Sequence, residues 1–417
     1  MLHKQSQHAE AIRVFKSILE YLGNEPSYSR GITLHKVGQC FFDTGQIREA
    51  AKWYEAGLSV AERLDQSQLT TDRLKSTLYL SSAEIQVRDG AYGEAENSLS
   101  ESLSFARNAG DITLIAVVQS QTASLKIEQG NPAEAIKLLR SSIIFFNQLD
   151  NANYKAVSLH QLGVAYTTLN QLDEAERCYR EASELRERNN LYGGRNGAEA
   201  SWYQLAIVSE KLGRVQDAVQ WYEKVLSSCK VLGDLSHTAI VLTNLARLQQ
   251  EQVDESGTCS NLNVARERAE EALEIAKTID PEAIGVWKIY EALEGISLKQ
   301  NRIEQAKAYK KRAIEATLSF SPQRYQLLYM APLICSSVDA LYNEEMQNAL
   351  VAVLSQSDPQ GEDLLSAIRQ IWNGERDAGS LTEALSLFDS LFVILVLRGI
   401  ANPNALKQFF SSLGNAA

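Results

Sequence analysis

Cysteine, proline, basic charge and long apolar runs are all scarce in this chain of 417 residues. Its five cysteines, Cys40, Cys178, Cys229, Cys259 and Cys335, lie far apart and show no CxxC or related spacing. That excludes a zinc ribbon or a disulfide framework and leaves buried or idle thiols of a reducing compartment. Only 7 prolines interrupt the chain, so helices can run without breaks. Lys and Arg number 41 against 52 Asp and Glu, a net charge of −11, and they form no basic run. A phosphate backbone is gripped by clustered cations, so nucleic acid is excluded as an expected partner. The longest apolar run, Leu391 to Leu397, ends at Arg398 and is far short of the about 20 residues that span a bilayer. Met1 to Gln7 is polar and leads into an amphipathic pattern, which is not a signal peptide. No membrane insertion is expected, and the cytoplasm is the expected location.

Reaction chemistry is missing as well. The five histidines (His3, His8, His35, His160 and His237) form no HExxH or HxH arrangement, so no metal site is expected. Gly193-Gly-Arg-Asn-Gly197 is glycine-rich but lacks the Lys-Ser/Thr of a phosphate loop, and Asn189–Gly197 is expected to be an exposed loop. Acidic pairs such as Glu270-Glu271 and Glu344-Glu345 sit on polar helix faces and are expected to be solvated. The expectation is a protein with no catalytic residue, no cofactor and no enzymatic activity.

What the chain has is helix-forming residues in a repeat. Hydrophobic content is 45% and charged content 22%, enough for a large buried interior. An alanine that opens a helix recurs at Ala11, Ala50, Ala95, Ala135, Ala175, Ala218, Ala265 and Ala306. Five residues before it stand Gly45, Gly90, Gly130, Asn170, Gly213 and Asn301. Glycine and asparagine tolerate the left-handed backbone that ends a helix, so each marks the end of a first helix. Twelve residues before it come Gly38, Ala83, Ala123, Gly163 and Ala206, small enough to let two helices approach. Four after it come Phe15, Tyr54, Leu99, Leu139, Tyr179 and Tyr222, bulky groups on the same face as the alanine.

This pattern resembles the tetratricopeptide repeat over about three-quarters of the chain. Leu34-His-Lys-Val-Gly-Gln-Cys-Phe41 with Ala50 and Tyr54, and Leu159-His-Gln-Leu-Gly-Val-Ala-Tyr166 with Ala175 and Tyr179, match it best. The spacing of about 40 to 45 exceeds the usual 34. It is similar to the long-period variant of kinesin light chains and of bacterial peptide-sensing and STAND-associated arrays. The resemblance implies an all-α fold, a right-handed α-solenoid of antiparallel helix pairs. The expected domains are a solenoid over residues 1–318, with a leading half-repeat and seven pairs, and a helical capping or docking region over 319–417. The leading helix, near His8 to Leu22, lacks a first helix, so it is either a cap or a sign that the chain is part of something longer. Glu294 and Lys310 replace the small and aromatic residues of the last pair, as a worn capping repeat would. The insertion Glu251–Leu262 lengthens one turn. Breaks are expected at Ser321-Pro322 and Ala331-Pro332, with helical patterns at Val338–Leu354, Glu362–Trp372, Leu381–Arg398 and Pro403–Leu413. Basic residues from 322 onward number 5 against 10 acidic ones, so the tail hides no basic module.

The resemblance implies that first helices line the concave groove where a partner binds. Fourteen residues before the alanine sit Lys36, Ser81, Gln121, Gln161, Gln204 and, allowing for the insertion, Asn244; one residue earlier, His35, His160 and Tyr203 are among the set. A primary amide both donates and accepts, as an extended peptide backbone requires. The candidate partner-binding residues are therefore Lys36, Gln121, Gln161, Gln204, Asn244, His160 and Tyr203. The same glutamines also fit an ordinary exposed helix face. The expected function is a scaffold that binds a peptide or protein segment; the alternative is a ligand-sensing regulatory module of a bacterial signalling system. The Leu391–Leu397 run is expected to be core or a helix for self-association.

Overall fold

The computed structural model describes residues 2–64, 67–189, 197–251, 259–279, 281–320, 326–357 and 362–414. The chain forms two compact units, Met1–Gly233 and Asp234–Ala417. The first opens with α1 (Leu2–Leu22). Five antiparallel pairs follow: α2 (Tyr28–Asp43) with α3 (Ile47–Glu62), α4 (Gln68–Arg88) with α5 (Tyr92–Asn108), α6 (Ile112–Glu128) with α7 (Pro132–Gln148), α8 (Ala152–Thr168) with α9 (Leu172–Arg188), and α10 (Ala198–Lys211) with α11 (Val215–Leu232). The second unit holds α12 (Leu235–Glu251) with α13 (Cys259–Ala276), the short α14 (Pro281–Ile284), and α15 (Val286–Lys299) with α16 (Ile303–Phe320). Its tail is α17 (Gln326–Asp339), α18 (Glu344–Ser357), α19 (Glu362–Trp372), α20 (Ala378–Thr382), α21 (Leu387–Ala401) and α22 (Pro403–Gly414). The boundary at 233/234 separates two helix pairs of the repeat. The end of the repeat pattern after Leu318 is a different boundary, and a separate capping role for 319–417 remains a proposal.

The turn inside each pair is built the same way. Gly45, Gly90, Gly130, Asn170, Gly213 and Asn301 all have φ between 57° and 80°. The next residue sends its N–H back to a carbonyl of the first helix, as in Gln46 to Phe41, Asn131 to Lys126 and Arg302 to Ser297, at 2.7–2.9 Å. This closes the exposed carbonyls of the helix end in a Schellman turn. The alanines that follow, from Ala50 to Ala265, are 0% exposed, and Ala306 is 2% exposed. Ala11, on the leading helix, is only half-buried.

Between the helices of a pair, small meets large. A Cβ on Gly38 would stand 2.5 Å from the Tyr54 ring, and one on Gly163 2.6 Å from the Tyr179 ring. Both rings are buried, and the same positions carry Ala83 with Leu99 and Ala123 with Leu139, all buried. Interior packing leaves no slack at such contacts, so these pairs fix the helix separation.

The tail differs from its expected pattern in three places. Pro332 lies inside α17 rather than breaking it. A proline removes one helix hydrogen bond, and α17 compensates by packing Met330, Leu333 and buried Ile334 into the tail core. The Val338–Leu354 pattern is divided by a 3₁₀ turn at Ala340–Tyr342. The Leu381–Arg398 pattern is divided at Ser386, whose hydroxyl caps α21 by accepting from the Asp389 N–H. Leu391, Phe392, Val393, Leu395 and Val396 are buried with Ile314 and Leu318 of α16. That run is therefore core. The expected break at Ser321-Pro322 lies outside the described residues, as do 190–196 and 252–258 of the two irregular segments expected from the sequence.

Candidate partner-binding face

Within the first unit, first helices pack directly on one another, α2 with α4, α4 with α6 and α6 with α8. The residues expected to meet a partner lie along this row. Lys36 is exposed and points toward Gln39 at 3.4 Å. Gln121, Gln161, Gln204, His160 and Tyr203 are half-buried. Asn244 is half-buried too, but it belongs to the second unit.

The amides are not equivalent. Gln161 is clamped from the preceding first helix: Ser120 Oγ donates to its Oε1 at 2.6 Å, and its Nε2 donates to Ser124 Oγ at 2.5 Å. Gln121 reaches back to Glu84 Oε1 at a long 3.3 Å. Gln204 makes no hydrogen bond to any described residue, so both its donor and its acceptor stay open. Around Gln121 lies a cavity of about 170 Å³ between α2, α4, α5 and α6, with walls including Phe42, Leu80, Glu84, Leu99 and Leu125. The Arg88 guanidinium covers Phe42 at 4.4 Å, a cation–π contact.

Beneath this face the residues one position earlier brace the array. His35 stacks on Tyr54, while His160 and Tyr203 meet Tyr179 and Tyr222 edge-on. His35 Nε2 also contacts Ser81 Oγ of α4 at 2.8 Å. His160 Nδ1 contacts Ser201 Oγ of α10 at 3.1 Å, and Arg186 Nη1 donates to the same oxygen at 2.6 Å. Arg186 thus occupies one lone pair of the serine oxygen, and the buried imidazole beside it is neutral. Burial, with Arg186 beside it, pushes His160 down to about 3; burial and Lys36 push His35 down to about 4.

Sequence reasoning missed Arg186, which is 1% exposed and pushed down to about 10 by burial despite nearby Glu199. Its sole clue is that it stands on the second helix where an apolar residue would be ordinary. Among the described residues, no cluster of His, Cys, Asp or Glu could hold a metal ion, and no helix is long and apolar enough to cross a membrane.

Comparison with known proteins agrees with the helix pairs. Tetratricopeptide repeat models match residues 114–188 and 201–236. These segments are tetratricopeptide repeats. Together they cover α6 to α9 with most of α10 and all of α11. No curated protein matches the sequence. Among solved structures, a STAND protein with a tetratricopeptide repeat sensor from Pyrococcus horikoshii is 13% identical. It covers 74% of this chain and 44% of its own, with a TM-score of 0.58. The apo quorum sensor NprR of B. thuringiensis is 16% identical, covers 76% and 84%, and has a TM-score of 0.54. A kinesin light chain repeat protein of Podosopora anserina is 18% identical over 50% and 98%, at a TM-score of 0.39. At such identities the likeness is one of tetratricopeptide-repeat fold.

Proposed function

We propose that the tetratricopeptide repeats of Met1–Gly233 hold an extended segment of a protein or peptide along their first helices, without acting on it chemically. The observation that carries this is Gln204, a half-buried amide with both hydrogen-bonding functions open, in register with Gln121 beside an apolar cavity. An amide pairs with a peptide group whatever its side chain, while a 170 Å³ cavity with a mostly apolar wall takes one side chain. Lys36, His160 and Tyr203 flank that path, and Asn244 would serve the same role in the second unit. Gln161 contributes by holding α6 against α8, so its exposed edge is secondary.

The test uses peptides selected on the full chain from a random display library. Gln121→Ala with Gln204→Ala should weaken the selected peptides about tenfold, as expected for two lost hydrogen bonds, with melting unchanged. Equal affinity for the double variant would remove this reading.

The quorum sensor and STAND protein among the similar structures favour a regulatory form of the same binding. In that form a ligand shifts the repeats between two arrangements, a cytoplasmic sensor being the expected setting. Small-angle scattering with and without a selected peptide distinguishes it: compaction supports a sensor, an unchanged profile a passive scaffold.

A further inference from the structure

The last helix pair departs from the pattern at Glu294 and Lys310, and the departure opens a cavity. In earlier pairs these two positions hold a small residue against a ring or leucine. Here a charged pair replaces them, and a cavity of about 660 Å³ lies between α15, α16, α20 and α21. Leu298 and Ile303, two large hydrophobic residues left exposed, line it together with Ile314 and Ile394.

Hydrogen bonding decides what polarity the cavity offers. An ammonium has three N–H donors and no acceptor. Lys310 Nζ donates to the carbonyls of Thr382 at 2.5 Å, Leu385 at 2.8 Å and Glu383 at 3.3 Å. Its donors are thus used up on the end of α20, and it has none left for an anion. Lys307 at the mouth is paired with Glu383 at 3.3 Å. Glu294, half-buried, forms no hydrogen bond or ion pair with any described residue. The remaining charges, Glu304, Lys311, Glu315 and Arg398, are exposed and of both signs, so water screens them. The open capacity inside is therefore that of an acceptor carrying negative charge.

We infer that this cavity is a binding site for a small organic ammonium ion with an apolar body, whose N–H groups donate to the Glu294 carboxylate while its chain lies on Leu298, Ile303, Ile314 and Ile394. The pull of burial on Glu294 fits: burial raises its affinity for a proton, with Lys310 opposing, and a bound cation offsets that burial cost. The site lies in the second unit and stands or falls independently of the peptide-binding reading.

Calorimetric titration of the full chain with hexylammonium tests it. Saturable binding at one site per chain is expected, with hexanol, the neutral molecule of equal length, at least about tenfold weaker. Glu294→Gln should weaken hexylammonium about tenfold while leaving the melting profile in place, and Leu298→Trp, which fills an exposed wall, should block it. Glu383→Gln, which removes the paired mouth charge, should change affinity by less than about twofold. Absence of saturable binding, hexanol binding as well as hexylammonium, or full affinity in Glu294→Gln would each overturn the assignment.

Discussion

At the scale of the residue, two glycines stand against rigid rings. Gly38 and Gly163 are helical positions where a methyl group would enter a buried tyrosine ring. Alanine there gains helix propensity but forces the ring aside, and overpacking costs about 1–3 kcal/mol. We expect Gly38→Ala and Gly163→Ala to lower the denaturation midpoint, and Gly57→Ala, which meets the flexible Leu78 side chain rather than a ring, to lower it less. The small character of these positions was legible from the spacing. Their partners were legible only in part, because the sequence does not say that the histidine three residues earlier packs on the same tyrosine.

Those histidines give a pH dependence with a definite sign. Both fold with their proton affinity depressed below the ordinary value of about 6.5. As pH falls below about 6.5 the unfolded chain takes up protons first, so the folded state loses stability. The loss runs down to about 4 for His35, which faces Lys36, Ser81 and Tyr54, and to about 3 for His160, which faces Arg186, Ser201 and Tyr179. Denaturant unfolding at stepped pH should show a slope that shrinks in His35→Asn and His160→Asn. An unchanged slope would mean that neither imidazole is protonated on unfolding in that range.

At the scale of the element, the turn chemistry was the most legible part of the chain. Gly45, Gly90, Gly130, Asn170, Gly213 and Asn301 are expected and observed as helix ends in the left-handed region. A β-branched side chain there is strained by about 1–2 kcal/mol. Gly130→Val should therefore lower the melting temperature, whereas Asn170→Gly should leave it nearly unchanged, since glycine adopts the same φ without a steric cost. Helix interruptions in the tail were less legible. A serine that caps α21 and a 3₁₀ turn before Asn343 divide patterns that periodicity alone would run together, because both sides of each division remain apolar.

At the scale of the whole molecule, the tail is held to the last pair by side chains that look like defects in the repeat. Lys310 occupies the aromatic position and instead ties α16 to the carbonyls at the end of α20. Lys310→Met should speed amide hydrogen exchange across α20 and α21 about tenfold or more, while α2 to α11 of the other compact unit keep their protection. Uniform loss of protection through both units would show that Lys310 supports more than the tail.

The sequence by itself determined the all-α class, the helix pairs, their turns and which residues recur at one position along the first helices. It could do so because a repeat obliges each unit to satisfy the same local geometry, so spacing carries the structure. Tertiary structure alone decided which of those recurring side chains are open. Gln161 and Gln204 are equivalent in sequence, yet two serines a turn apart on α6 close the first, while the second meets no such pair. The same holds for the last pair, where Lys310 is bound because a distant helix end arrives beside it while Glu294 keeps no hydrogen-bond partner among the described residues. Hydrogen-bond partners across helices are set by three-dimensional neighbours, and a one-dimensional period cannot encode them.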